Sequence, residues 1–242
     1  MLAARSPFSP AACIGNFNGI WDYYFLKLAV SKVSRIRLLS MSVFKEFEVI
    51  PLNCLWVEPE KLINIFKVMD EQDEDRYWHY VKEPLDLKNI FFPKPPQGGA
   101  HLPGFAVWQP CNISFGSVLI PNYGDELIQL IRHLNRRFQI RYFSAHLSRD
   151  HKKEGLCRFE HTDETGAQRV VHVIHDQGWQ FYDQGRILPF ENPLLYQNRR
   201  IADRLTPALV IQYLKSLGWD LEADDFWKSE SGAWIGRKMK FK

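Results

Sequence analysis

The chain has 242 residues, with 31 Lys+Arg against 28 Asp+Glu, 45% hydrophobic and 14% aromatic residues, and four cysteines. That apolar supply excludes a disordered or collagen-like chain, and so few cysteines exclude a disulfide-framed miniprotein. The net charge of +3 is unevenly placed: residues 1 to 40 hold Arg5, Lys27, Lys32, Arg35 and Arg37 against Asp22 alone, so the rest of the chain is close to neutral.

In those forty residues the best apolar stretch, 20–30, is broken by Asp22 and Lys27. It fits neither a secretory signal nor a membrane span. Residues 1–40 therefore read as a poorly ordered extension or a mis-assigned start, with one domain over 41–242. Met41 to Val49 alternates with period two and is expected to be the first strand. Glu58-Pro59-Glu60 opens a helix on which Leu62, Ile63, Phe66 and Met69 recur at helical spacing. The acids from Asp70 to Asp75 oppose the helix dipole and predict its end near Met69. Residues 93–104 carry four Pro and three Gly in twelve positions, a density that permits only a surface loop.

Phe115 to Ile120 is an apolar run with the length of a buried strand. Asp125 and Glu126 then open a helix with Leu127, Leu130, Ile131 and Leu134 on one stripe and Arg132, His133, Arg136 and Arg137 toward its end, matching the dipole. Strands follow at Gln139–Leu147, Leu156–Thr162, Gln168–His175, Trp179–Tyr182 and Gly185–Leu188. Their short connections predict an antiparallel meander of about five strands. The turn at Asp163-Glu164-Thr165-Gly166 makes a hairpin, and pairing Thr162 with Ala167 across it puts Glu160 opposite Arg169 and Cys157 opposite His172. A helix is expected over Pro193–Leu205. A second starts at Thr206-Pro207, an N-cap and a first-turn proline, and stops at Gly218. Trp227 and Trp234 flank Ser231-Gly232 in a terminal hairpin. The fold class is α+β, a central antiparallel sheet covered by three or four helices.

Cys13, Cys54, Cys111 and Cys157 form no CxxC pair and read as reduced thiols of a cytoplasmic protein. A thiol beside an imidazole can form a nucleophilic thiolate, so Cys157 and His172, with His161 nearby, are the candidate centre of a thiol- or metal-dependent enzyme. The same face carries apolar residues, and core packing is the competing expectation. His146, His151, His161, His172 and His175 crowd into thirty residues, but His172 and His175 point to opposite faces of a strand and no metal motif is present. No phosphate-cradling or serine-hydrolase motif occurs. Arg136 and Arg137 on one helix and Arg199, Arg200 and Arg204 on another are candidate nucleic-acid contacts, with Trp179 and Tyr182 for stacking. The near-neutral body argues against that role. Trp78, Tyr80, Trp227 and Trp234 are candidate anchors for a protein partner.

The succession Phe115-Gly116-Ser117-Val118-Leu119-Ile120-Pro121-Asn122-Tyr123, an acid-started helix, Gly178-Trp179-Gln180-Phe181-Tyr182, Pro189-Phe190-Glu191-Asn192 with Tyr196, and Gly218-Trp219-Asp220 resembles small bacterial α+β proteins of the polymorphic-toxin immunity type. The resemblance implies a cytoplasmic, non-enzymatic protein that binds a partner protein, a toxin, and blocks it without a cofactor. Inhibitors of nucleases are clearly acidic, so a target other than a nuclease is compatible with this neutral body.

Overall fold

The computed structural model describes residues 46–71, 78–91, 104–122 and 127–238. The expectations for residues 1–40 and for most of 93–104 lie outside them. Among the described residues nine strands form a single open sheet: β1 (Val49–Leu55), β2 (Trp78–Glu83), β3 (Gly104–Trp108), β4 (Ser117–Pro121), β5 (Tyr142–Ser148), β6 (Leu156–Thr162), β7 (Gln168–His175), β8 (Trp179–Gln184) and β9 (Ala233–Lys238). Their order is β2-β9-β3-β4-β1-β5-β6-β7-β8. All eight pairings are antiparallel. The described helices are α1 (Pro59–Glu71), α2 (Leu87–Phe91), α3 (Ile128–Phe138), α4 (His151–Glu154) and α5 (Pro207–Ser216), of which α1, α3 and α5 are the main ones. The protein is an α+β fold.

Alternate side chains of each strand enter opposite layers, because successive Cβ atoms point to opposite sheet faces. On one face α1 and α3 lay Leu62, Ile63, Phe66, Ile131 and Leu134 against Leu55, Phe105, Leu119 and Tyr142. On the other, α5 lays Leu209, Val210, Tyr213 and Leu214 against Leu52, Cys54, Ala106, Phe143, Cys157 and Val171. A strand covered on both faces is apolar throughout, so β3 and β4 do not alternate in hydrophobicity and are buried at every position.

Local chemistry explains the element ends. The Thr206 hydroxyl accepts the Leu209 N–H at 3.3 Å at the start of α5, with Pro207 in its first turn. At the end of α3, Gln139 turns left-handed (φ 55°) and its N–H reaches the Asn135 carbonyl at 2.8 Å. Gly236 of β9 lies under Phe105, whose ring would stand 2.4 Å from any Cβ there.

Several expectations are corrected. Of the expected first strand Met41–Val49, residues 41–45 lie outside the described residues, 46–48 are not strand, and β1 begins at Val49. Residues 193–205 are two 3-10 segments, Pro193–Gln197 and Ile201–Asp203, separated where Asn198 (ψ 137°) leaves helical space. Residues 185–188 are not a strand but an irregular segment entered through a bend at Gly185 (φ 91°). The C-terminal segment forms no local hairpin: Trp227 ends a 3-10 segment, Asp224–Trp227, and β9 inserts between β2 and β3.

Candidate functional site

The β6–β7 hairpin sets the geometry of most candidate residues. Its ladder pairs Thr162 with Gln168, one position beyond the expected Thr162–Ala167 register. The added residue is held by the turn itself. Asp163 accepts the Thr165 N–H at 2.9 Å, the Thr165 hydroxyl at 2.7 Å and the Ala167 N–H at 3.0 Å through one carboxylate oxygen. Gly166 takes φ 85°, the left-handed residue of the five-residue connection 163–167 between Thr162 and Gln168. A one-residue slip changes every cross-strand partner. Cys157 therefore faces Val173, and His172 faces Arg158 on the other side of the sheet.

Cys157 is wholly buried in the α5-side core, and burial pushes its thiol far above the ordinary range. His172 is half-buried on the opposite face and stacks on Tyr182 at 4.7 Å, its pKa lowered by burial and by Arg158. The alternative nucleophile–base pair is thus not assembled, and Cys157 packs in the core as the competing expectation had it. His161 shares the Cys157 face but is caged by Trp56, Phe143 and Phe190, with ring centroids 6.3, 6.3 and 6.4 Å away. Arg141 Nε donates to its Nε2 at 3.3 Å, so Nδ1 carries the imidazole proton. Burial, then the Arg141 charge, brings its pKa down to about 4. Among the described residues no group of three or more His, Cys, Asp or Glu is placed to hold a metal ion.

The corrected register also separates Glu160 from Arg169. Arg169, 1% exposed, lies on the α5 face, where Nε and Nη2 bind Glu191 at 2.9 and 2.8 Å and Nη1 binds Asp183. Tyr196 donates to Glu191 at 2.7 Å, and the Leu188 N–H does so at 2.7 Å. This cluster fastens the 185–192 segment to β7. Sequence reasoning missed it, and the available signal was the isolated arginine in the apolar run of β7.

On the α3 face Glu160 is paired instead with Arg132, whose Nε and Nη2 donate to it at 2.9 and 2.6 Å. Gln168 adds a bond at 2.7 Å, and the Tyr142 hydroxyl another. Burial alone would raise the Glu160 pKa, but the hydrogen bonds from Arg132 and Tyr142 and the Arg132 charge hold it below the usual carboxylate range. Above this network, a cavity of ≈ 450 Å³ opens between the second half of α3 and the hairpin tip.

Trp78, Tyr80 and Trp234 lie on the α1 side, half-buried. Trp78 packs on Phe105 at 5.1 Å, Tyr80 stacks on Phe66 at 6.5 Å and donates to Asp70, and Trp234 lies between Lys67 and Lys82, at 5.3 and 5.7 Å. Trp227 belongs to the other layer, with Nε1 donating to the Leu221 carbonyl at 2.9 Å. It borders a groove of ≈ 650 Å³ shared with Lys82, Glu83, Lys228 and Glu230. The arginines divide as well: Arg136 and Arg137 are on α3, whereas Arg199, Arg200 and Arg204 surround the 3-10 segments packed on the opposite layer. Arg204 Nε is held by the Asn198 carbonyl at 2.9 Å and its guanidinium covers Phe181. The two sets do not form one surface.

No described helix is long and apolar enough to cross a membrane. No family model, curated protein or solved structure matches the chain. The fold and these side-chain arrangements are therefore what a functional reading must rest on.

Proposed function

We propose that the chain is a cytoplasmic protein-binding module of the immunity type, which blocks a partner protein by occupying its surface and makes no covalent bond. The observation that carries this reading is the groove beside Trp227. There a half-buried indole, fixed through Nε1 and packed near Trp108, is rimmed by charges of both signs, Lys82, Glu83, Lys228 and Glu230. A rigid aromatic inside a polar rim is the composition of an interface hot spot. Lys82 links the groove to the α1 side, since its ammonium binds Glu60 at 2.8 Å and covers Trp234. The division of Cys157 from His172 between two sheet faces supports the non-catalytic part of the reading.

The test is co-expression with the protein encoded beside this chain. The reading predicts that the chain restores growth of cells poisoned by that neighbour and co-purifies with it as a defined complex. The double charge reversal Lys228→Glu, Glu230→Lys, on exposed positions, should weaken both effects without lowering thermal stability. Loss of neither, or protection that depends on Cys157, contradicts it.

A further inference from the structure

We propose that the cavity between α3 and the β6–β7 hairpin binds a small organic anion through Arg132 and Arg136. This site is independent of the groove beside Trp227 and of the partner reading.

Arg132 and Arg136 stand four residues apart on α3 and so share one face of the helix. Both line the cavity, with Gln139 at the helix end, Tyr142 and Gln168 on the sheet below, and Thr165 at the hairpin tip. Arg132 is preorganised. Its Nε and one Nη2 hydrogen are fixed on Glu160 with the Tyr142 hydroxyl alongside, and no hydrogen bond among the described residues engages Nη1. The Glu160 side chain is 1% exposed and that of Arg132 31%, so the acid is sealed beneath the guanidinium while the outer edge of the guanidinium reaches the cavity. Glu160 also takes bonds from Tyr142 and Gln168, so the cavity floor presents a carboxylate already satisfied.

Arg136 has no ion-pair partner among the described residues and is exposed. Arg132 is neutralised by Glu160, so Arg136 supplies the uncompensated positive charge of this wall. Glu164, at the exposed hairpin tip, is the opposing rim acid; Asp163 is committed to the turn. Two guanidinium edges and the Gln139 amide offer N–H donors to the cavity, beside the Asn135 amide, the Thr162 and Thr165 hydroxyls and the Glu164 carboxylate. Planar guanidinium forks match the two-oxygen geometry of carboxylate and phosphate. The negative end of the α3 dipole opposes an anion, but it acts more weakly than a charge-assisted hydrogen bond from a fixed guanidinium. At ≈ 450 Å³ the space exceeds an inorganic oxyanion and lies within the range of small-molecule sites. The ligand class is an organic acid or a phosphate ester.

The full-length protein, labelled with ¹⁵N, tests this by titration with citrate and, separately, with glucose 6-phosphate at constant ionic strength. The Arg132 Nε–H and the Gln139 and Gln168 side-chain amides should shift and saturate. Arg136→Gln should weaken the affinity about tenfold or more, Gln139→Ala should weaken it less, and Arg199→Gln, on the other layer, should leave it unchanged. Saturation by citrate alone assigns a carboxylate, by the sugar phosphate alone a phosphate, and by both the shared oxyanion. Absence of saturable shifts with either probe, equal affinity in Arg136→Gln, or the same shifts produced by chloride overturns the proposal. The thermal stability of Arg136→Gln and Gln139→Ala, both at surface positions, separates lost binding from lost fold.

Discussion

Arg169 and Glu191 are almost fully enclosed, and Glu191 has Arg169 as its ion-pair partner while Arg169 also reaches the half-exposed Asp183. Removing one partner of such a pair leaves a buried charge, at a cost of about 3–5 kcal/mol, whereas replacing both by apolar groups is far milder. Arg169→Met should therefore lower stability to urea severely, and Arg169→Met with Glu191→Leu should recover most of the loss. A single variant as stable as the wild type contradicts the buried pairing. His161 makes a second prediction. Its folded pKa of about 4 lies below the value of about 6.5 for an unfolded chain, so the unfolded state binds a proton that the folded state refuses between those values. This contribution to stability is complete above the unfolded pKa. It is lost as pH falls toward the folded one, up to about 3 kcal/mol at 1.36 kcal/mol per unit. Glu160, with its pKa depressed, adds a further loss as its carboxylate protonates at lower pH. Urea midpoints at pH 7.5 and 4.5 should fall less in His161→Phe than in the wild type, and equal falls would rule out the buried neutral imidazole.

At the scale of elements, α1, α3 and α5 were legible from an apolar stripe in each, joined in α3 by Arg136 and Arg137 in the last turn and in α5 by an N-cap with proline. The expected acidic start of α3, Asp125 and Glu126, lies outside the described residues. The α1 stripe of Leu62, Ile63, Phe66 and Met69 is buried as its spacing predicts. The hairpin was legible as an element but not in register. Ala167 reads as a strand residue, yet the Asp163 carboxylate captures its N–H and places it in the loop. That one residue separated Cys157 from His172 and Glu160 from Arg169, so the candidate catalytic site was misread through turn chemistry. The two glycines that bound β7 and β8 give contrasting predictions. Gly166→Ala introduces a Cβ whose nearest neighbour is 3.9 Å away, so it costs only the positive-φ strain, about 1 kcal/mol. Gly185→Ala would place a Cβ 2.1 Å from the Gln168 carbonyl oxygen, and should cost several times more. Thermal unfolding of the two variants compares them directly, and equal losses contradict the bend geometry at Gly185.

Across the whole molecule, the least legible feature was the order of the sheet. β1 lies between β4 and β5, and β9 joins β2 and β3, pairings that no local pattern encodes because their partners are distant in the chain. β2 was hidden for a related reason: its Trp78, Tyr80 and Lys82 meet α1 across the sheet face, and its ladder partner among the described residues is β9. The resulting two-layer burial places two of the cysteines in the core. Cys54 and Cys157 both lie at 0% exposure in the α5-side core, while Cys111 is exposed. Of the cysteines among the described residues, Cys111 alone therefore lies at the surface. Mass-spectrometric mapping of iodoacetamide labelling tests this placement most directly. In the native protein Cys111 should be alkylated while Cys54 and Cys157 remain protected, and all three should react once the chain is unfolded in urea. Alkylation of Cys157 in the native protein at the rate of Cys111 would contradict the account.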